Sequence, residues 1–338
     1  ALAFPHVQGN TPMPMQTPDA PRLLLWTDAA APYEAAIAEA GLADRVRVAA
    51  LPRKDMPSPE LLAETEALLG WGAPAGMLPR MPRLRWIQSL TAGVEGWLAM
   101  PDLPEGVALT CARGTHRESM PENILGAIFH IAKPYHLIEE DNREHRWTRR
   151  MATPLGGKTL GILGLGAIGA ELARKAAALD MRVIGTRRSG RAGGAPPGVA
   201  QVFPPEATNS VLAQSDFVVC LLPATPQTEN SIDTDRLSHM KSTAWLINFG
   251  RGAVIRDEDL IAAVQVKRIA GAILDVFRQE PLPASHPFWS TPGILVLPHI
   301  GGGHPERDAV VAALFVDNLA RFLDGRPLRE LVDRSAGY

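Results

Sequence analysis

The run from Thr159 to Gly169, TLGILGLGAIG, limits what this chain can fold into more than any other stretch. Thr159 to Leu163 read as a short apolar strand. Gly164, Gly166 and Gly169 follow with the spacing G-x-G-x-x-G, and a helix takes over from there. The first glycine permits a tight turn, the second lets backbone approach a pyrophosphate, and the third lets the helix pack against the strand. Unpaired N–H groups at the helix start then face the phosphates. Ile168, Leu172, Ala176 and Leu179 fall on one face of that helix, with Glu171, Arg174 and Lys175 off it. In this setting the glycines point to a dinucleotide. A plain glycine-rich turn is the competing reading.

A chain of 338 residues is long for one core, so two domains are expected. The net charge of -2 gives no electrostatic reason for binding nucleic acid or an anionic membrane surface. No apolar run approaches the ~18 residues that span a bilayer. Cys111 and Cys220 lie in apolar surroundings, with no C-x-x-C and no neighbouring histidine cluster. They read as buried free thiols in a reducing cytoplasm, and no metal site is expected. Residues 1–20 lack the basic start and apolar core of a signal peptide and read as a loosely held extension.

From Arg22 onward strands and helices alternate. Strands are expected at Arg22–Trp26, Val46–Ala50 and Arg85–Gln88. A helix is expected from Tyr33 to Ala40, ended by Gly41, and a helix running into a strand between Leu61 and Trp71. Ser89 to Glu95 (SLTAGVE) follow a strand as a small-residue turn that can present N–H groups to an anion, or be no more than a tight turn. Pro121 to Ala132 read as a helix with Pro121 at its first position. Leu137 to Arg150 form a charged run, solvated by default, in which Trp147 stands alone as a candidate subunit or substrate contact.

The second strand of the dinucleotide unit, Met181–Thr186, ends in Arg187-Arg188-Ser189. An NAD-specific site would carry a carboxylate here for the ribose 2′-OH. Two guanidiniums and a hydroxyl suit a 2′-phosphate instead, through bidentate bonds. Two surface arginines in a loop are the plainer alternative. The later strands each end in a polar or glycine-rich loop: Asp216–Leu222 in Pro223 to Thr228, Ala244–Asn248 in Phe249-Gly250-Arg251-Gly252, Ile269–Leu274 in Asp275 and then Glu280, and Ile294–Leu297 in Pro298-His299. In an open parallel sheet those ends share one edge, where ligands bind. Arg251, Asp275, Glu280 and His299 can therefore converge beside the dinucleotide. A long helix from Pro305 to Leu323, with Val310, Ala313, Leu314, Leu319 and Phe322 as its apolar face, is expected to return to the first unit.

These stretches, in this order, resemble the D-isomer-specific 2-hydroxyacid dehydrogenase family. The similar segments are SLTAGV at 89–94, GILGLGAIG at 161–169, LLPATPQT at 221–228, NFGRG at 248–252, LDVFRQEPLP at 274–283 and LPHIGG at 297–302. VDRSAGY at 332–338, together with DVFRQEPLP and the Trp147 region, is most similar to the glyoxylate/hydroxypyruvate reductase A branch. The resemblance implies an α/β fold: a Rossmann-type, doubly wound parallel sheet as cofactor domain, residues 119–304, inserted in a smaller flavodoxin-like substrate domain of residues 21–118 and 305–338. It implies a homodimer with an arm at about residues 135–155 that carries Trp147 toward the partner's site.

The resemblance also implies roles. Arg251 would bind the substrate carboxylate and polarise the keto oxygen. His299 would be the general acid in reduction, and Glu280 its partner. Ala92, Gly93 and Val94 would grip the carboxylate through backbone, and Met120 and Trp147 would flank the substrate. Gly164, Gly166, Ala167, Ile168, Gly169, Arg187, Arg188, Ser189, Leu222, Pro223, Thr228, Phe249, Gly250, Asp275 and Gly301 would line the cofactor. The chemistry supports the central set independently. Reducing a 2-keto acid puts hydride on carbon and a proton on oxygen, so an acid active near neutral pH is needed. A carboxylate beside a histidine stabilises the imidazolium, and reduction should weaken as His299 loses its proton. Where NAD-preferring members carry an acidic residue this chain has Arg187, which implies NADPH, with NADH weaker.

The expectation is an NADPH-dependent reductase of small 2-keto acids, glyoxylate and hydroxypyruvate first. Two alternatives stay open. One is the same fold acting on another substrate, such as phenylpyruvate. The other is a dinucleotide-sensing, corepressor-type binding module without turnover.

Overall fold

The computed structural model describes residues 19–188, 194–335 and 337. Ser189 and residues 1–18 of the expected extension lie outside the described residues. The chain divides into two compact units, one of residues 1–113 and 308–338, the other of residues 114–307. The sequence expectation put these breaks after residues 118 and 304. No helix among the described residues is long and apolar enough to cross a membrane.

In the first unit, β1 (Arg22–Trp26), α1 (Ala31–Glu39), β2 (Arg47–Leu51), α2 (Pro59–Glu64), β3 (Thr65–Gly70), β4 (Trp86–Ser89), α3 (Glu95–Leu98) and β5 (Ala108–Thr110) follow one another. The strands pair in parallel in the order β2-β1-β3-β4-β5, which is the flavodoxin-like 2-1-3-4-5 winding. A covered parallel sheet needs apolar residues on both faces, and RLLLW supplies them by alternation. Leu23 and Leu25 join Tyr33, Ile37, Trp86 and Phe315 on one side. Leu24 and Trp26 join Leu62, Leu68, Ile87 and Trp97 on the other. Strand β5 is too short to announce itself in sequence. It is held by β4 and by the 330–332 segment, which bridges it antiparallel, with Cys111 N–H donating to Glu330 and Val332 N–H to Leu109.

The second unit contains α4 (Ser119–Ala132), α5 (Tyr135–Arg143), β6 (Thr159–Leu163), α6 (Ala167–Ala177), β7 (Arg182–Thr186), β8 (Val199–Phe203), α7 (Thr208–Gln214), β9 (Phe217–Cys220), α8 (Thr234–Ser238), β10 (Trp245–Asn248), α9 (Asp257–Gln265), β11 (Gly271–Leu274) and β12 (Ile294–Val296). All seven strands are parallel, in the order β12-β11-β10-β9-β6-β7-β8. Winding runs one way from β6 to β8 and the other way from β9 to β12. The switch point therefore lies between β6 and β9, where ligands bind in such sheets. The last helix, α10 (Arg307–Leu323), packs in the first unit's core.

Four local expectations need correction. Pro121 is the third residue of α4, not the first. It is tolerated because the N–H groups of a helix's first turn have no intrahelical acceptor. Glu171, expected on the polar side of α6, is buried, and Arg174 reaches it with a bond of 2.6 Å. On α10 the inward stripe is Val311, Ala312, Phe315, Asn318 and Leu319, while Val310 is 41% exposed and Ala313 is also outside. Adjacent apolar pairs, Val310-Val311 and Leu314-Phe315, offer two stripes. The aromatic partners Tyr33 and Trp86 select the one carrying Phe315. The charged run after Leu137 is not evenly solvated. Asp141 is buried, and Arg146 and Arg150 both bond to it, Arg150 Nε at 2.7 Å. These bonds hold its carboxyl well down, at about 2, with Arg150 the larger cause. Between those arginines Trp147 is 95% exposed, and Met151 beyond them is 92% exposed. Cys111 and Cys220 are free and buried.

Candidate active site

The glycine turn is shaped by what its residues lack. Gly164 has φ +108°, in the region L side chains rarely adopt, and the N–H groups of Gly164 and Leu165 both point to the Thr186 carbonyl. A Cβ on Gly169 would lie 2.4 Å from the Gly164 carbonyl oxygen, so a side chain there would push α6 off β6. Gly166 differs, since a Cβ on it would meet nothing within 4 Å. Its space is open at the start of an 11-residue helix whose first-turn N–H groups are available to an anion. Arg187 and Arg188 leave the end of β7 half-buried and exposed, and Arg187 Nη1 reaches the Gly194 carbonyl at 3.3 Å. Open backbone at a helix start with guanidiniums at the next strand end is a donor set that fits a phosphorylated dinucleotide.

Across the switch point, Leu221 N–H donates to Leu163 at 2.8 Å, which seats Leu222 and Pro223 beside the glycine turn. The Thr228 hydroxyl donates to the Pro223 carbonyl at 2.6 Å, so it closes this loop. At the end of β10, buried Asn248 accepts from Gly250 N–H and donates to the Arg251 carbonyl, both at 3.0 Å. Asn248 thus fixes the backbone from which Arg251 springs. Arg251 is half-buried, and its Nη1 bonds the Gly250 carbonyl at 2.8 Å. Phe249 is buried beneath the turn after β12.

That turn carries His299. Its backbone has φ +53°, a left-handed conformation that a non-glycine residue holds only when its surroundings impose it. The turn that follows His299 is held by Asp275, at the end of the neighbouring β11. Its buried carboxylate accepts from Ile300 N–H at 2.7 Å and from Gly301 N–H at 2.9 Å. Burial raises the Asp275 carboxyl, and those two N–H groups act against the rise. Gly301 must be glycine, because a Cβ would come within 2.6 Å of the Phe249 ring. The His299 ring is half-exposed, and its Nδ1 lies 2.6 Å from Glu280 Oε2. The other Glu280 oxygen accepts from Phe277 N–H at 2.9 Å, which fixes the carboxylate. An ionised Glu280 requires the proton on Nδ1, which leaves Nε2 as the atom that exchanges a proton with a ligand.

Arg251, Asp275 and His299 therefore follow three adjacent strands, β10, β11 and β12. At the ordinary strand separation the outer two lie about 10 Å apart, the span of one small molecule. Met120 stands in the first turn of α4, partly buried against the same core. Trp147 stands out in solvent on the segment after α5. The Ala92-Gly93-Val94 loop belongs to the first unit. It follows β4, with Ser89 and Thr91 hydroxyls bonded to each other at 2.9 Å, the Thr91 hydroxyl on the Gly93 carbonyl, and Val94 buried. Asn248 and Asn123 escaped sequence reading. Asn123 bonds the carbonyls of Ile300 and Gly301 from α4.

Comparison with known proteins gives a consistent result. Residues 125–301 match the family described as D-isomer specific 2-hydroxyacid dehydrogenase, NAD binding domain. The chain is 34% identical over 279 residues to glyoxylate/hydroxypyruvate reductase B of Yersinia enterocolitica, covering 79% of this chain and 84% of that protein. It is similar in structure to a D-isomer specific 2-hydroxyacid dehydrogenase family protein from Aeromonas salmonicida, with TM-score 0.85 and 34% identity over 94% of this chain and 100% of that one. It is also similar to the NADPH-dependent glyoxylate/hydroxypyruvate reductase of Sinorhizobium meliloti, solved with NADP and sulfate. There the TM-score is 0.81 and the identity 27%, over 94% of this chain and 100% of that one. The Yersinia relative carries the B designation, where the sequence resemblance pointed to the A branch.

Proposed function

Because the chain belongs to the D-isomer specific 2-hydroxyacid dehydrogenase family, and so is an oxidoreductase, we propose that it reduces small 2-keto acids with NADPH. Glyoxylate would give glycolate and hydroxypyruvate D-glycerate. The observation that carries this reading is the 2.6 Å contact between His299 Nδ1 and Glu280, on the sheet edge that also delivers Arg251. When bound, NADPH supplies the hydride. The chain supplies the rest. Arg251 offers two parallel N–H bonds to the substrate carboxylate and draws charge toward the keto oxygen. His299 Nε2 donates the proton to that oxygen, and Glu280, bonded to Nδ1 at 2.6 Å, orients the ring. The backbone of Ala92, Gly93 and Val94 is assigned to gripping the substrate carboxylate by the family resemblance alone.

In this reading residues 21–118 and 305–338 form the substrate domain and residues 119–304 the cofactor domain. Gly164, Gly166, Ala167, Ile168 and Gly169 receive the pyrophosphate. Leu222, Pro223, Thr228, Phe249, Gly250, Asp275 and Gly301 line the dinucleotide. Arg187 and Arg188, with Ser189, take the 2′-phosphate. NADH lacks that group and forfeits the guanidinium contacts, so it serves less well. The names of the Yersinia and Sinorhizobium relatives support the substrate class, and the bound NADP of the latter supports the cofactor. We place the homodimer contact on the arm of residues 135–155, with Met120 and Trp147 flanking the substrate. The exposure of Trp147 and Met151 supports an apolar partner there. Two free buried thiols support a cytoplasmic location.

The test is initial-rate oxidation of NADPH and NADH with glyoxylate, hydroxypyruvate, pyruvate and phenylpyruvate, in wild type and His299→Ala. NADPH-linked turnover of the small substrates, reduced by about 10³-fold in the variant, is expected for loss of a general acid. Equal use of NADH would remove the case for Arg187 and Arg188. Tight NADPH binding with no turnover would favour the sensing module instead.

A further inference from the structure

The turn that presents His299 is gripped from two sides. Asp275 takes the N–H groups of Ile300 and Gly301. Asn123, on α4, addresses the carbonyls of the same two residues, with Nδ2 at 3.3 Å from the Ile300 oxygen and 3.0 Å from the Gly301 oxygen. Both partners are acceptors, so the amide nitrogen, with its two protons, must face them. All four backbone polar groups of Ile300 and Gly301 are thereby engaged, immediately after a histidine in left-handed backbone. The segment leading to Asn123 touches the turn once more, because a Cβ on Gly302 would lie 3.0 Å from the His116 ring. Within the second unit, a helix more than 170 positions away in sequence thus meets the turn that carries the acid.

We infer that Asn123 is a positioning residue for His299. Its side-chain amide ties α4 to the Ile300 and Gly301 carbonyls and so sets the direction in which the imidazole leaves the turn. This inference rests on the proposed role of His299 as general acid. Asn123 touches neither reacting atom. Its loss should therefore lower kcat with little change in the KM for the keto acid.

The experiment compares Asn123→Leu, which removes both donors at similar volume, Asn123→Gln, which restores an amide, and Glu122→Gln, a control on the same helix whose carboxylate pairs with Lys175 instead. Two readouts are taken on the full chain: kcat and KM with glyoxylate and hydroxypyruvate, and hydrogen exchange at the amides of Ile300 and Gly301. Asn123→Leu should lose about 10-fold or more in kcat, as small misplacement of a reacting group does. The two amides should exchange faster in it, and Asn123→Gln should recover part of both. Unchanged kcat in Asn123→Leu, an equal loss in Glu122→Gln, or unchanged exchange at residues 300 and 301 would each overturn the inference. A wild type inactive on both acids would refute the proposed function. The exchange data would then decide the clamp by themselves, with faster exchange in Asn123→Leu supporting it and unchanged exchange overturning it.

Discussion

The turns after β6 and after β12 lie on the same edge of one sheet, yet they are built in opposite ways. The first is made of missing atoms. Gly164 and Gly169 let strand, turn and helix close on each other, and Gly166 leaves open space beside the helix start. The second is made of added ones. His299 sits in a backbone conformation it would not choose, held by a carboxylate from β11 and an amide from α4. A site that offers backbone N–H groups needs bare chain. A site that aims one imidazole needs its turn held from outside, because a local sequence cannot both strain a residue and pay for the strain.

The comparison can be broken most sharply at Asp275. In Asp275→Asn the amide nitrogen must face one of the two N–H donors, leaving it unsatisfied. The expected cost is about 1–3 kcal/mol of stability, and kcat should fall about 100-fold as the imidazole moves. A variant with normal kcat would show that the turn holds itself. Next in size is Gly169→Ala, whose Cβ meets a backbone oxygen. Thermal unfolding should show a loss of about 1–3 kcal/mol. Gly166→Ala should keep its Tm, within about 0.5 kcal/mol, and instead raise the KM for NADPH. Reversed behaviour of these two glycines would refute the division between packing and phosphate approach.

The smallest effect concerns pH. Burial, and after it the charge of Arg307, hold His116 down at about 4, from an ordinary 6.5. Between those values the unfolded chain binds more protons than the folded one, so stability should fall as pH drops from about 6.5 toward 4. His116→Gln should flatten that slope, seen as a Tm difference of about 2–4 °C between pH 6.5 and pH 4.5. An unchanged slope would mean that the ring next to Gly302 is protonated in the folded protein. Below this window the paired Asp141 carboxylate contributes in the same sense, its stabilisation being lost as pH falls from 3.8 toward about 2.

The two turns also differ in how far sequence reveals them. The glycine turn occupies one short window, and each glycine's reason is local, so its place and chemistry were legible. The ends of β10, β11 and β12 were legible as a set, since parallel strands deliver their loops to one edge. The grip on His299 was not, because Asn123 acts from a distant helix whose own pattern reads only as amphipathic. Strand β8 escaped for a different reason. It lies at the sheet edge, half-exposed, and a weakly alternating VAQVF says little without its neighbour. Glu171 and Asn318 went inside against their chemistry because their partners, Arg174 for one and Gln88 with the Arg329 carbonyl for the other, satisfy them there.

The discontinuous make-up of the first unit sets an order of events during synthesis. Its sheet is complete once Thr110 has been made, but one face of that sheet waits for Val311, Phe315 and Leu319 of α10. At about 5–20 residues per second, the ribosome takes roughly 10–40 s to cover that interval. Throughout it Trp86 lacks its ring partners Phe315 and Phe322, and Leu23 and Leu25 have only Tyr33 and Ile37 of α1 on that side, while the second unit, made in the same interval, is complete only at its end. Nascent chains halted shortly before α10 are thus the ones that should call on chaperones, with the apolar face around Trp86 as the surface they present.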